Sequence, residues 1–350
     1  METDSYRKLA HHLDKLPGGF PPSDSGVELR LLEKLFTPEE AELAVHLTLE
    51  REESQAIAER AGLGHAEAEQ RLRGMARKGL IFSIEPEDGP ALYHAIPWVI
   101  GIYEFQVNNL DEGFVRDLKE YNPTRSRDSR PRPIPQMRTI PVRRSIEPDL
   151  ETLPYELAEE LVASHEKFAV APCICRRKAE IGGVGCNAPK ETCLMFGDWA
   201  DYYVRNGLGR YIDRTGVMDI LIRADEANLV LQPNNSKDIV FICCCCGCCC
   251  GVLNALKRHP RPSERVASPF RVQAKPETCE GCGTCLDRCQ MGALALEDDH
   301  VILNSIRCIG CGLCVSTCPT GSLTLVRKPA GEQIKVPITM DATWRELAQP

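Results

Sequence analysis

No cysteine occurs in the first 172 residues, although the 350-residue chain carries 19. That absence keeps thiolate metal chemistry and disulfides out of nearly half the protein. Aromatic residues are few, at 6%, yet hydrophobic residues reach 43%, enough for real cores. The length leaves room for roughly two to four domains of ordinary size. No apolar run approaches ~18 residues, so no membrane-spanning helix is expected. The opening stretch METDSYRKLAHHLDKL has neither the apolar core of a secretory signal nor a twin arginine, so a soluble, cytoplasmic protein is expected. Positive charge is not in excess: the net charge is −8, which disfavours general attraction to nucleic acid or anionic membrane. No glycine loop of the Rossmann or P-loop type is present, so flavin or NAD(P) chemistry would belong to another subunit. Nor does any Cys–His or paired-carboxylate constellation name a catalytic residue; His94 and His165 read as ordinary fold residues.

What the chain does have is cysteine in three blocks: four between 173 and 193, seven between 243 and 250, eight between 279 and 318. In a long chain expected in a reducing compartment, this many thiols point to metal rather than disulfides. The last block repeats C-x2-C-x2-C-x3-C as CEGCGTCLDRC (279–289) and CIGCGLCVSTC (308–318), offset by 29 residues. Three cysteines two residues apart in a tight glycine-bearing loop aim three thiolates at three irons of one cube, and zinc suits paired C-x2-C units with longer loops better. Gly281, Gly283, Gly310 and Gly312 allow backbone amides to approach the sulfurs. ALALEDDHVILN and SLTLVRK read as short β-runs following the motifs. Over about residues 270–327 the chain resembles the bacterial dicluster ferredoxin domain. The resemblance implies two [4Fe–4S] clusters, one on Cys279, Cys282, Cys285 and Cys318, the other on Cys308, Cys311, Cys314 and Cys289. One position departs from the pattern: Pro319 follows the second motif, but Gln290 stands where the first would have its proline.

The middle block holds Cys173, Cys175, Cys186 and Cys193, spaced unlike a ferredoxin motif, and then ICCCCGCCCG at 242–251. KFAVAP reads as a strand and PKETCLMFGDWADYYVRNG as a helix with Pro189 near its start. TGVMDILIRADEANL reads as a second helix capped by Thr215. DIVFICCCC is a buried-strand pattern and GVLNALKRH opens a helix, so the cysteine run is a strand-to-helix turn where thiolates gain from the helix dipole. Side chains alternate along a strand, so seven adjacent cysteines cannot all reach one cluster. Candidate ligands are a subset of Cys173, Cys175, Cys186, Cys193, Cys243, Cys245, Cys246, Cys248, Cys249 and Cys250. They are expected to hold an additional iron–sulfur cluster, with zinc as the alternative; one cluster is the economical reading and two are arithmetically possible. Paired cysteines are also similar to those of CCG domains in heterodisulfide-reductase-like proteins, but the spacing departs from that pattern. PCICR, GC, ETCLMFGDWA and CCCCGCCC together resemble the multidomain 4Fe–4S binding proteins of strict anaerobes.

In the cysteine-free half, VELRLLEKLF and TPEEAELAVHLTL are amphipathic helices, the second opened by Thr37, Pro38 and Glu40 in capping-box order. SQAIAERAGLG and HAEAEQRLRGMARKGLI have helix–turn–helix proportions, and LIFSIEPEDGPALYHAI reads as two strands and a wing. This resembles a winged helix. DNA recognition is disfavoured, because residues 27–95 carry fourteen Asp/Glu against eight Lys/Arg, and Glu67 and Glu69 open the would-be recognition helix. PWVIGIYEFQVNNLDEGFVRDLKEY reads as one long helix. NPTRSRDSRPRPIPQMRTIPVRR, with seven arginines, reads as an extended basic connector, or as an arm across a redox partner or the protein's own clusters.

The expected architecture is α+β and multidomain. It comprises a winged-helix-like domain (1–96), a long helix with basic linker (97–150), an α/β cysteine-rich middle domain (151–268), a dicluster ferredoxin domain (269–328) and a tail (329–350). The expected function is electron transfer with a redox partner protein, as a carrier or oxidoreductase subunit rather than a stand-alone enzyme. Alternatives are a redox-sensing winged-helix DNA-binding regulator, and a reductase or activating subunit with a catalytic iron–sulfur centre.

Overall fold

The computed structural model describes residues 2–127, 130 and 132–348. In the N-terminal part, helices α1 (Glu2–Asp14), α2 (Val27–Leu35) and α3 (Pro38–Ala44) precede a short strand β1 (Glu52–Glu53). Helices α4 (Ser54–Ala61) and α5 (His65–Arg77) follow, then a hairpin of β2 (Phe82–Ile84) and β3 (Leu92–His94), giving a sheet of order β1-β3-β2. The Thr37–Glu40 capping box forms as its spacing dictates. Gly62, in the left-handed conformation, ends α4.

The stretch from Pro97 is not one helix. Val99, Ile100 and Gly101 leave helical geometry, and only α6 (Tyr103–Phe105) and α7 (Glu112–Arg127) are α-helical. Two β-branched residues before a glycine favour this break, and Asp111 restarts the helix by accepting the Phe114 N–H at 2.6 Å. Ile100, with φ near 60°, is a strained position for a β-branched side chain. The turn it makes carries Tyr103 and Glu104 toward the cysteine-rich half.

Helix α8 (Ala158–Ala163), strand β4 (Phe168–Pro172) and helix α9 (Ile174–Ile181) open the middle part. They are followed by β5 (Glu191–Phe196), α10 (Asp198–Arg205), β6 (Arg210–Ile212), α11 (Arg214–Glu226), β7 (Val230–Pro233), β8 (Phe241–Cys245) and α12 (Gly251–Arg258). ETCLMF is thus a strand, not the first half of a helix; it pairs on both sides, with β4 and with β8. Asp213, rather than Thr215, caps α11 by accepting the Gly216 N–H at 2.7 Å. The sheet order is β6-β4-β5-β8-β7 with every neighbour antiparallel, so the helices pack on an antiparallel sheet rather than in parallel βαβ units.

The two faces of that sheet belong to different cores. Ala169, Ala171, Met195 and Phe241 join Phe105, Tyr202, Tyr203, Trp98 and Trp344 in one core shared with the N-terminal helices. Phe168, Val170, Leu194, Ile242 and Cys244 face a second core against α8, α11 and α12. The Tyr202 hydroxyl ties the two parts by donating to the carbonyls of Ala76 and Ile81.

The basic stretch after Tyr121 departs from an extended solvated connector. Residues 122–127 continue α7, residues 128, 129 and 131 lie outside the described residues, and 137–142 run along the middle sheet. Arg138, Thr139 and Ile140 are buried there, and the Val142 N–H donates to the Cys311 carbonyl at 3.1 Å.

In the C-terminal part, β9 (Phe270–Ala274) pairs with β12 (Leu323–Arg327), while α13 (Thr284–Arg288) precedes a hairpin of β10 (Leu294–Glu297) and β11 (His300–Leu303). Helix α14 (Met340–Leu347) returns to the N-terminal part, burying Trp344. Asp225 of α11 joins these pieces: Arg288 and Ser316 bond it from the C-terminal part and Arg144 from the linker. Arg288 and Asp225 are 11% and 9% exposed, so Asp225→Ala strands a buried guanidinium. It is expected to cost about 3–5 kcal/mol in chemical denaturation. No helix among the described residues is long and apolar enough to cross a membrane.

Candidate metal centres

Two small cavities sit in the C-terminal part. Cys308, Cys311, Cys314 and Cys289 line one; Cys279, Cys282, Cys285 and Cys318 line the other. Each therefore draws three thiols from one motif and the fourth from the other. Ordinary local geometry builds this arrangement. Gly281, Gly283, Gly310 and Gly312 all adopt positive φ, folding each C-x2-C-x2-C loop around its cavity. Backbone amides point at the sulfurs: Ala293 N lies 3.2 Å from Cys289 Sγ and Val272 N 3.5 Å from Cys308 Sγ.

Burial raises the thiols of Cys285, Cys308 and Cys314, and takes Cys311 up to about 12. Burial also opposes ionisation of Cys318, but bonds from Thr320 and the Leu323 and Ser322 amides bring its thiol below the ordinary value. Buried thiols that resist bare ionisation, surrounded by amide donors, fit a bound metal cluster.

The seven-cysteine run splits at the end of β8. Cys193 sits directly opposite Cys243 across β5 and β8. Cys244 points the other way into the second core, and burial takes its thiol up to about 12. Of the ten middle-domain candidates, four gather at one place: Cys186, Cys246, Cys248 and Cys249, all with sulfurs within 4.8 Å of one another. Cys186 lies 3.9 Å from Cys246 and 3.7 Å from Cys249, and Cys249 lies 3.7 Å from Cys248. Burial works against the Cys246 thiolate, yet the Cys249 amide and the Arg176 guanidinium bring that thiol down to about 7.

The other six are linked as a separate row of electrostatically interacting thiols. Cys173 meets Cys175, Cys175 meets Cys250, Cys250 meets Cys245, Cys245 meets Cys243, and Cys243 meets Cys193. Cys173 and Cys250 occupy the positions just before α9 and α12, whose dipoles favour negative charge there.

Four residues that spacing alone did not assign to a site frame these groups. Arg176, which directly follows Cys175 in PCICRR, is buried and donates to the carbonyls of Pro189 and Cys244. Tyr103 and Glu104 come from the N-terminal part. Burial first, and the Cys175 and Cys243 thiolates second, push the Glu104 carboxyl up to about 8. Gln290 explains its own departure from the ferredoxin pattern: its Oε1 accepts the Gly247 N–H at 2.7 Å, pinning the cysteine turn to the first motif. A Cβ on Gly247 would lie 2.5 Å from both Gln290 Oε1 and Lys257 Nζ. Gln290→Ala is expected to cost about 1–3 kcal/mol, because the Gly247 amide loses its partner; denaturation of the metal-loaded chain measures it.

Residues 278–323 match the family of 4Fe-4S dicluster domains. No curated protein and no solved structure matches the chain. The match takes in all eight cysteines that line the two cavities and supports an iron–sulfur protein with 4Fe–4S clusters in its C-terminal part.

Proposed function

We propose that the protein is an electron carrier, or the electron-transfer part of an oxidoreductase, with two [4Fe–4S] clusters. Cys279, Cys282, Cys285 and Cys318 hold one, and Cys308, Cys311, Cys314 and Cys289 the other. The observation that carries this reading is the exchange of the fourth thiol between the two cavities. Each cluster, when bound, takes up and gives back one electron. The protein supplies thiolates, amide donors to sulfur, and apolar walls from Val272, Leu294, Leu296 and Val301.

Cys186, Cys246, Cys248 and Cys249 hold a single tetrahedral ion of the zinc class. Three of their six sulfur pairs are 3.7–3.9 Å apart and all are within 4.8 Å, near the edge of a tetrahedron, about 3.8 Å when metal–sulfur distances are about 2.3 Å. Thiolates on separate irons of a cube stand farther apart.

The N-terminal part is read as a winged helix used for docking, from its order of helix, strand, two helices and hairpin. On α5, Arg71 pairs with Glu67 and Arg73 with Glu69, while Lys78 pairs with Glu40. Cations already balanced by neighbouring acids offer little to phosphate. Anaerobic reduction of the full-length chain followed by EPR tests the proposal. Two interacting one-electron centres are expected; no reducible iron–sulfur signal would refute it.

A further inference from the structure

Two buried polar groups beside the six-thiol chain have no protein partner. The Tyr103 hydroxyl is one: its residue is 7% exposed and it lies close to Cys175, Cys173 and Cys250. The Nε of Arg176 is the other, on a residue 4% exposed and near Cys173, Cys246 and Cys245. Buried donors are ordinarily satisfied, so these two, which share Cys173 as a neighbour, each mark a missing acceptor. An acceptor there must tolerate a wall of thiolates and welcome positive or donor groups.

The thiols differ in spacing from the tetrathiolate site. Among the described residues, Cys186, Cys246, Cys248 and Cys249 are the only such group with sulfurs mutually within 4.8 Å. Neither the six-thiol chain nor the eight ferredoxin cysteines draw three sulfurs that close. The six are therefore spread as the ferredoxin ligands are, around a volume larger than one ion. They come from a strand pair and from the segments at two helix N-termini, so the backbone already fixes them on different elements.

We infer that Cys173, Cys175, Cys193, Cys243, Cys245 and Cys250 enclose a second middle-domain centre, a polynuclear iron–sulfur cluster whose sulfur atoms accept from Tyr103 and Arg176. Six thiols exceed the four terminal positions of a cube, so the site holds either a larger cluster or a cube with two spare thiols beside it. Tyr103 belongs to the cysteine-free half, which makes that half a wall of the site rather than an appendage. The inference rests on reading the chain as an iron–sulfur protein.

The test counts iron, acid-labile sulfide and zinc per full-length chain purified anaerobically. Three proteins are compared: the wild type, Cys193→Ser with Cys243→Ser, and Cys248→Ser with Cys249→Ser. The first double variant is expected to lose about four or more irons with matching sulfide and to keep its single ion. The second is expected to lose that ion and keep all iron and sulfide. Wild-type iron near eight, or unchanged iron and sulfide in the first variant, overturns the inference while leaving the ferredoxin reading in place. Iron well below eight in the wild type instead defeats the underlying reading. Tyr103→Phe keeps every thiol and guards against a misfolded double variant. It is expected to lower the reduction potential of the middle cluster with the ferredoxin signals unmoved; unshifted potentials throughout also overturn the inference.

Discussion

Gly310→Ala is expected to remove the cluster held by the second motif, a loss of about four irons. Gly310 has φ near +70°, which L side chains rarely adopt, and a Cβ there would lie 2.2 Å from the Phe270 carbonyl oxygen. That oxygen cannot step aside, because Phe270 is held in β9 by its pairing with Arg327 of β12. The loop between Cys308 and Cys311 must then open, and the thiols that share its cavity lose their arrangement. Gly331→Ala, with nothing within 4 Å of the added carbon, serves as the matched control and should keep the full iron content. Iron analysis and the visible absorption of the two proteins decide the matter.

The second large effect concerns the tetrathiolate site. Replacing Cys248 and Cys249 by serine is expected to release the bound ion and to lower the stability of the middle part, which stays folded around its own core. Structural zinc is worth ~10 kcal/mol in peptides that are unfolded without it, and a part with its own hydrophobic core loses only a fraction of that. Cys186 lies in the loop after α9 and Cys246 at the end of β8, so the ion would staple a long loop to the turn that also carries Gly247. Denaturation with and without a strong chelator measures the contribution. Cys244→Ala is the internal comparison: its thiol faces the second core, so metal content should stay at the wild-type value.

The ferredoxin part was legible because its spacing encodes a loop geometry that leaves little freedom. The β8 strand and the α12 helix were equally legible from local pattern, since IVFICCCC within DIVFICCCC is a continuous apolar run and GVLNALKRH has a helical stripe. ETCLMF misled because its flanking Pro189 and Gly197 suit helix and strand boundaries alike, and only pairing with β4 and β8 decides between them. The long helix expected after Pro97 failed at Ile100, where the β-branched pair before Gly101 and burial against the N-terminal core act together. Division of the ten middle cysteines into four and six could not be read from spacing. It depends on Cys186 reaching across to Cys246 and on β5 lying beside β8, both non-local facts. Gln290 carried a signal in the sequence, as the missing proline, but its meaning needed the neighbouring Gly247.

The fold is therefore a frame that brings thiols from distant segments together in separate groups. In the function proposed for it, the eight C-terminal cysteines hold two cubes with exchanged fourth ligands. Mössbauer spectroscopy of the full-length, iron-57-labelled chain, compared with its Cys318→Ser variant, tests this most directly. About eight irons or more in cubane-type environments are predicted in the wild type. In the variant, the cluster on Cys279, Cys282 and Cys285 should be perturbed and the cluster on Cys308, Cys311 and Cys314 intact. Perturbation of the latter cluster alone, or iron confined to isolated tetrahedral sites, would contradict the exchanged-ligand arrangement.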